Sequence, residues 1–302
     1  MPIQWFPGHM ARARRVLAEN LRLCDIVIEI RDARLPYSSS NPEINRLLGD
    51  KPRVIVLNKN DLADPVITEE WKEFYAEKNI PVIFTDCRSG SGVKEVVKAI
   101  NDKMQPYIQK CIAKGRKKPV IKAMAVGIPN VGKSSFINKI TGRAGAKTGD
   151  KPGVTRNIQW LNINPDIMLL DMPGLLWPKF EDQNCAYKLA ASGAIKDDIS
   201  DVTEIACYLC LLLAKRYREA FFGRYGIDLD ESFFEKYDDE YLGCLYTHIA
   251  DGVPILETVG RKRGCLIKGG EVDLTRASNI LLDEFRGGKI GRISLDFTED
   301  EK

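Results

Sequence analysis

An α/β domain with a mostly parallel sheet, followed by a smaller helical domain, is what this 302-residue sequence predicts. Three observations carry the prediction. Over the first 180 positions, short apolar runs of strand length alternate with helical patterns, the signature of a parallel sheet with helices on both faces. One such run, 121-IKAMAVG-127, leads into the glycine-rich loop 127-GIPNVGKS-134 and then a helix over 135–142 ending at a Gly C-cap. Beyond position 180 the strand-like runs stop and helical periodicity takes over. The domains therefore read as 1–180 and 181–302, with the boundary near Phe180, after Trp177-Pro178.

Taken in order, Pro7-Gly8 marks a turn, and from Ala11 the apolar positions Ala13, Val16, Leu17 and Leu21 fit a helix that carries Arg12, Arg14 and Arg15. Residues 25–33 alternate Ile and Val as a strand, and a loop over 32–42 precedes a short helix at 43–48. The run 53-RVIVLN-58 is a second strand, 66–78 an amphipathic helix, 80–86 a third strand and 93–110 a helix. A basic joint, 114-KGRKKP-119, comes before the glycine-rich loop. The polar segment 143–156 comes after it, with strands following at 157–163 and 167–171. In the second domain, 184–195, 202–225 and 271–285 are helical, 232–243 adds a turn or two, and 261-RKRGCLIKGG-270 reads as a basic loop.

Composition excludes several classes. No run of 18 apolar residues suggests a membrane span, and the N-terminus lacks the apolar core of a signal peptide. Eight scattered cysteines and two histidines argue for free thiols in a reducing cytoplasm rather than a disulfide scaffold or zinc site. The net charge of +3 is unevenly spread: residues 101–160 hold thirteen Lys or Arg against two Asp, whereas residues 201–302 hold fourteen against twenty acids. Such a basic stretch suits a polyanion, and a nucleic acid is the natural partner.

The glycine-rich loop fits G-x-x-x-x-G-K-[ST], in which glycines let the backbone approach phosphate closely. Its amides from Asn130, Val131 and Gly132 to Ser135, with the helix start, make an anion site. Lys133 reaches the β and γ phosphates, and the Ser134 hydroxyl ligates Mg²⁺. The base is set by 58-NKND-61. The Asp61 carboxylate accepts from guanine N1–H and the exocyclic amine, whereas adenine would leave it facing a lone pair. Asn58 braces neighbouring loops, and the Lys59 stem lies along the base. Asp171, ending its strand, suits a water-mediated Mg²⁺ role. Gly174 of 171-DMPG-174 offers its amide to the γ-phosphate, and Thr155 adds a hydroxyl to Mg²⁺ only when GTP is present. The residue after D-x-P-G is Leu175, which cannot orient a water, so slow turnover without a partner is expected.

With 58-NKND-61 and 86-DCR-88 ahead of 127-GIPNVGKS-134, Thr155 and 171-DMPG-174, the motif order resembles a circularly permuted guanine-nucleotide-binding domain of the translation-factor-related superclass. The motifs 5-WFPGHM-10, 32-DARLP-36, 147-KTGDKPGVT-155 and 171-DMPGLLWPKFED-182 make the chain similar to the ribosome biogenesis GTPase A family, also called RbgA or YlqF, from Ile3 to roughly Leu295. The resemblance implies a circularly permuted P-loop GTPase domain followed by a smaller helical, rRNA-binding domain. It further implies a cytoplasmic, monomeric assembly factor that binds the precursor of the large ribosomal subunit, with its rRNA and proteins, and leaves after particle-stimulated GTP hydrolysis. His9, by itself an ordinary turn histidine, becomes the catalytic residue together with Lys133, and Asn130 becomes a K⁺ ligand beside the phosphates. The S-A-x motif of the superclass appears as Asp86-Cys87-Arg88. The usual Ser is missing, while the Cys87 amide keeps the capacity to donate to the guanine carbonyl. The 261-RKR-263 triplet joins the basic stretch in one polyanion footprint. A reading from another class is a nucleotide-regulated RNA-binding scaffold in which hydrolysis is incidental, and the two are separated by whether a hydrolysis-dead variant still leaves its RNA.

Overall fold

The computed structural model describes residues 8–142, 159–174, 176–177, 180–197, 201–228 and 244–301, with side chains described from Arg15 to Glu299 within that set. Two compact units emerge, one gathering Trp5–Lys179 with Asp296–Lys302 and the other built on Phe180–Leu295. The tail from Asp296, expected to close the helical domain, thus groups with the sheet.

Strands β1 (Ile26–Asp32), β2 (Arg53–Asn58), β3 (Val82–Phe84), β4 (Ile121–Gly127), β5 (Gln159–Asn164) and β6 (Ile167–Asp171) form one sheet in the order β3-β2-β1-β4-β6-β5. All pairs are parallel except the edge pair β5–β6. Every residue of β1 is buried, as expected of the strand flanked on both sides. Its charged Glu29 is held inside by Arg31 at 2.7 Å and Arg53 at 3.1 Å, since a buried carboxylate needs partners.

Helices α1 (Gly8–Leu21), α2 (Pro42–Leu48), α3 (Pro65–Glu77), α4 (Val93–Ala113) and α5 (Lys133–Thr141) connect the strands. On one face, Leu17 and Leu21 of α1 and Ile44 and Leu48 of α2 pack with Val27, Met124, Val126 and Leu170 of the sheet. On the other, Trp71 and Tyr75 of α3 pack with Ile55 and Leu57. The period-2 alternation of the strands separates these two sets. Asn41 and Asp64 start α2 and α3 by accepting the amides of Glu43 and Val66, with a proline opening each helix.

The register sets the functional end. Asp32 lies opposite Asn58, Ile30 opposite Gly127, and Ala125 opposite Asp171. The carboxyl ends of β1, β2, β4 and β6 are therefore level. From β1 the chain moves outward through β2 to β3, and α4 brings it back to β4 on the other side of β1. Loops leaving β1 and β4 diverge, and such a switch point is where open α/β sheets bind ligands.

The helical unit holds α6 (Gln183–Ala191), α7 (Val202–Arg216), α8 (Arg218–Tyr225), α9 (Val253–Lys262) and α10 (Leu274–Arg286) among the described residues. The continuous helix expected over 202–225 breaks at Tyr217, where φ −134° and ψ 38° leave the helical region. Residues Ile205–Ala214 of α7 are all buried, making it the core element. Helix α9 replaces part of the expected basic loop. Pro254 in its first turn suits a helix start, and Ile255, Leu256 and Val259 supply the buried face. Arg263, expected in the polyanion footprint, joins Arg224 and Tyr225 around the Glu284 carboxylate at 2.7–2.8 Å. Burial pushes the Glu284 carboxyl up, but hydrogen bonds from Arg224, Tyr225 and Arg263 outweigh this and hold it near about 2. Against the expectation of scattered cysteines with no C-x-x-C pair, Cys207 and Cys210 form that spacing inside α7. Both thiols are buried and free, and burial pushes Cys207 up to about 12. No helix among the described residues is long and apolar enough to cross a membrane.

Candidate active site

The phosphate loop leaves β4 at Gly127, where a Cβ would lie 2.5 Å from the Ile30 carbonyl oxygen of β1. Gly127 is thus required by strand packing as well as by the turn. Asn130 takes the left-handed conformation at φ 61°, which asparagine tolerates better than most residues. Gly132 follows at φ 86°, and a Cβ there would meet Asn58 Nδ2 at 2.2 Å. Helix α5 begins at Lys133, with Ser134 half-buried in its first turn and Ser135 exposed.

Lys133 is buried, and its Nζ donates to Asp171 Oδ1 at 2.5 Å. Burial lowers the ammonium pKa, and the Asp171 carboxylate opposes that shift without cancelling it. The other oxygen, Asp171 Oδ2, is buried without a hydrogen-bond partner among the described residues. An orphaned carboxylate oxygen at a strand end, with the Ser134 hydroxyl in the neighbouring helix start, is an oxygen-only donor set suited to a hard cation such as Mg²⁺. Gly174 packs on the loop, since a Cβ there would lie 3.1 Å from the Pro129 nitrogen. That close approach places D-x-P-G against the phosphate loop.

Asn58, ending β2, is a hub of hydrogen bonds. Its Nδ2 donates to the Val131 carbonyl at 2.9 Å, while its Oδ1 accepts from the Cys87 amide at 3.2 Å and the Thr85 hydroxyl at 3.3 Å. One side chain therefore ties 58-NKND-61 to both the phosphate loop and the 86–88 loop, the bracing expected of it. The Cys87 amide, expected to face guanine, donates to Asn58 Oδ1 in this structure. Asp86 has a structural task that serine could share only in part. Its two carboxylate oxygens accept the amides of Arg88 and Ser89 at 2.8 and 3.2 Å, closing the loop on itself. Burial raises its carboxyl, but hydrogen bonds from Ser89 and Arg88 outweigh this and leave it below the ordinary value.

Lys59 adopts φ 65° and places its Nζ 2.8 Å from Asp32 Oδ2. Asp32 is fully buried at the end of β1 and also binds Arg34 through Nε at 3.0 Å and Nη2 at 2.9 Å. Burial raises the Asp32 carboxyl, and Arg34 and Lys59 together drive it far below the usual carboxylate range. The motif 32-DARLP-36 carries both Asp32 and Arg34, but its spacing does not announce the pairing with Lys59. Asp61 is half-buried two residues beyond Lys59. Thr155 and Leu175 lie outside the described residues, and of His9 only its place in the first turn of α1 is described.

Comparison with known proteins agrees with this geometry. Residues 122–221 match the family described as 50S ribosome-binding GTPase. The chain is 43% identical over 298 residues to ribosome biogenesis GTPase A of Priestia megaterium, covering 98% of this chain and 97% of that one. A GDP-bound YlqF structure superposes with a TM-score of 0.63 at 28% identity, covering 95% of this chain and 100% of the other. A GNP-bound YlqF from T. maritima gives 0.62 at 28% identity, covering 95% and 98%.

Proposed function

The chain belongs to the ribosome biogenesis GTPase A family, a circularly permuted GTPase of ribosome assembly, and we propose that in its GTP form it binds the precursor of the large ribosomal subunit and leaves after hydrolysis that the particle stimulates. The observation that carries this is the Asn58 hub. Loops that stand in permuted order in the chain are drawn into one guanine-nucleotide site by hydrogen bonds to Val131 and Cys87.

In this reading Lys133 exchanges Asp171 for the β and γ phosphates. Amides from Asn130 to Ser135 cradle the phosphate oxygens. Asp61 reads the guanine edge, and the Cys87 amide serves the carbonyl side once Asn58 shares it. Ser134 and Thr155 hold Mg²⁺ directly and Asp171 through water. The bound ion neutralises charge on the β and γ phosphates. Gly174 donates to the γ-phosphate. Asn130 adds a K⁺ site beside the phosphates. Leu175 offers no hydrogen bond to water, so the chain alone turns over slowly, and His9 completes the site when the ribosomal surface orders the N-terminal arm. The basic stretch 101–160 and the arginines at 12, 14 and 15 meet rRNA phosphate. The protein works as a cytoplasmic monomer.

The test measures GTP turnover with and without purified large-subunit precursor, for the parent and for His9→Ala. The parent is expected to be strongly stimulated, while the variant binds the particle in the presence of a GTP analogue but loses most of the stimulation. Equal stimulation of the variant removes His9 from catalysis. A parent that ignores the particle ends the ribosomal reading.

A further inference from the structure

We propose that the tail residue Asp296 is a positioning residue for guanine recognition, acting through the 32–38 turn and Asp32 on Lys59; this rests on 58-NKND-61 being the base site. Asp296 is fully buried, and its carboxylate accepts the Ser38 amide at 2.6 Å and the Ser38 hydroxyl at 2.7 Å. Its own amide donates to the Arg34 carbonyl at 3.3 Å, and its carbonyl accepts Trp71 Nε1–H at 3.3 Å. Four contacts around one residue at the far end of the sequence fasten the turn after β1 to α3. These are the two elements on either side of the guanine loop, because Asp32 pairs with Asn58 across the sheet and α3 begins at Pro65.

The turn so fastened carries the group that fixes Lys59. Arg34 grips both Asp32 oxygens, the Asp32 amide donates to Ser39 Oγ at 3.1 Å, and the Ala33 amide donates to the Asn58 carbonyl at 2.7 Å. Asp32 then holds the Lys59 ammonium at 2.8 Å. Lys59 needs this restraint because its φ of 65° lies in the left-handed region, which is unfavourable for a non-glycine residue and persists only when neighbours enforce it. Once the turn shifts, Asp32 loses its grip, Lys59 relaxes toward the right-handed side, and Asp61 two residues later leaves its place opposite the base. Phosphate contacts depend on Gly132, Lys133 and Asp171, which stand a step further off, joined to this chain of bonds through the Asn58 side chain and the Val131 carbonyl.

The experiment compares affinities of the full chain for GDP and for inosine diphosphate, which lacks the exocyclic amine, together with melting temperature. Asp296→Ala is expected to weaken GDP about fivefold or more, the equivalent of one net hydrogen bond. Inosine diphosphate should weaken less, so that discrimination shrinks. Asp296→Asn, which still accepts the Ser38 amide, should restore discrimination to near the parent. Ser38→Ala keeps that amide contact and loses only the hydroxyl; it should reduce discrimination about twofold, and it decides the matter should Asp296→Ala not fold. Parental discrimination in folded Asp296→Ala and Ser38→Ala, or equal weakening of both nucleotides, overturns the proposal. Asp61→Asn is the control for the underlying reading: it should redirect preference toward xanthosine diphosphate. A failure of that control counts against the base site itself, whereas its success with an indifferent tail counts against Asp296 alone.

Discussion

The two ends of the proposed nucleotide site are built from different materials. The phosphate end is mostly backbone: glycines that admit close approach, amides at the start of α5, and one buried ion pair between Lys133 and Asp171. The base end is a side-chain network in which Asn58, Asp32, Arg34, Lys59 and Asp86 hold three loops in register. Backbone sites need particular residues at fixed spacing in one segment. Side-chain networks need particular residues from several segments at once, so they are robust to chain order. That difference explains how a permuted chain keeps a GTPase site. The phosphate loop travels as one piece, and the base end is reassembled by the sheet.

The largest expected effect falls on the phosphate end. Lys133→Ala should lower GDP and GTP affinity at least about a hundredfold, since charge-assisted contacts are worth about 1.5–3 kcal/mol each. Nucleotide titration by calorimetry measures it, and a loss below tenfold would show that the backbone alone suffices there.

Gly132→Ala tests whether the two ends are mechanically one. Its φ of 86° and the 2.2 Å approach of Asn58 Nδ2 mean that a methyl group strains the loop and displaces the hub of the base end. A loss of about 2–3 kcal/mol in nucleotide binding is expected, with guanine discrimination weakened alongside phosphate affinity. Intact discrimination would separate the ends.

Asn58→Ala removes the side chain that ties the base end to the phosphate loop. Removing its side chain leaves the Val131 carbonyl and Cys87 amide unpaired, and thermal unfolding should report a loss of about 1–3 kcal/mol. A melting temperature equal to the parent's would mean that the loops are held by the backbone after all.

The smallest effect belongs to the helical unit, where the Glu284 cluster shows what a similar network does without a nucleotide. Its carboxyl is held near about 2, below the ordinary carboxylate range. The stabilisation is therefore fully present above the unfolded value near pH 4.5, and it is lost as pH falls toward 2. Allowing for solvent screening, Glu284→Gln should cost about 1 kcal/mol at neutral pH, a difference from the parent that closes in acid. Unfolding midpoints at pH 7 and pH 3 measure it. A penalty that persists at low pH would make the cluster a matter of packing rather than charge.

The sequence by itself determined whatever depends on spacing within one segment. The strand–loop–helix of 121–142, N-K-x-D at the end of β2, D-x-P-G at the end of β6, and the alternation that places helices on both faces of the sheet are local patterns with local causes. The permuted motif order was equally legible, because order is a property of the chain. Tertiary structure alone decided the partners of Asp32, the bond of the Cys87 amide to Asn58, the pairing of Arg263 with Glu284, and the return of Asp296 to the turn after β1. Each of these joins polar groups tens or hundreds of positions apart, except where Asp32 meets Arg34, and no periodicity announces such a meeting. Burial selects them, since a charged or polar side chain shut away from water must find whichever partner the packed core brings within reach.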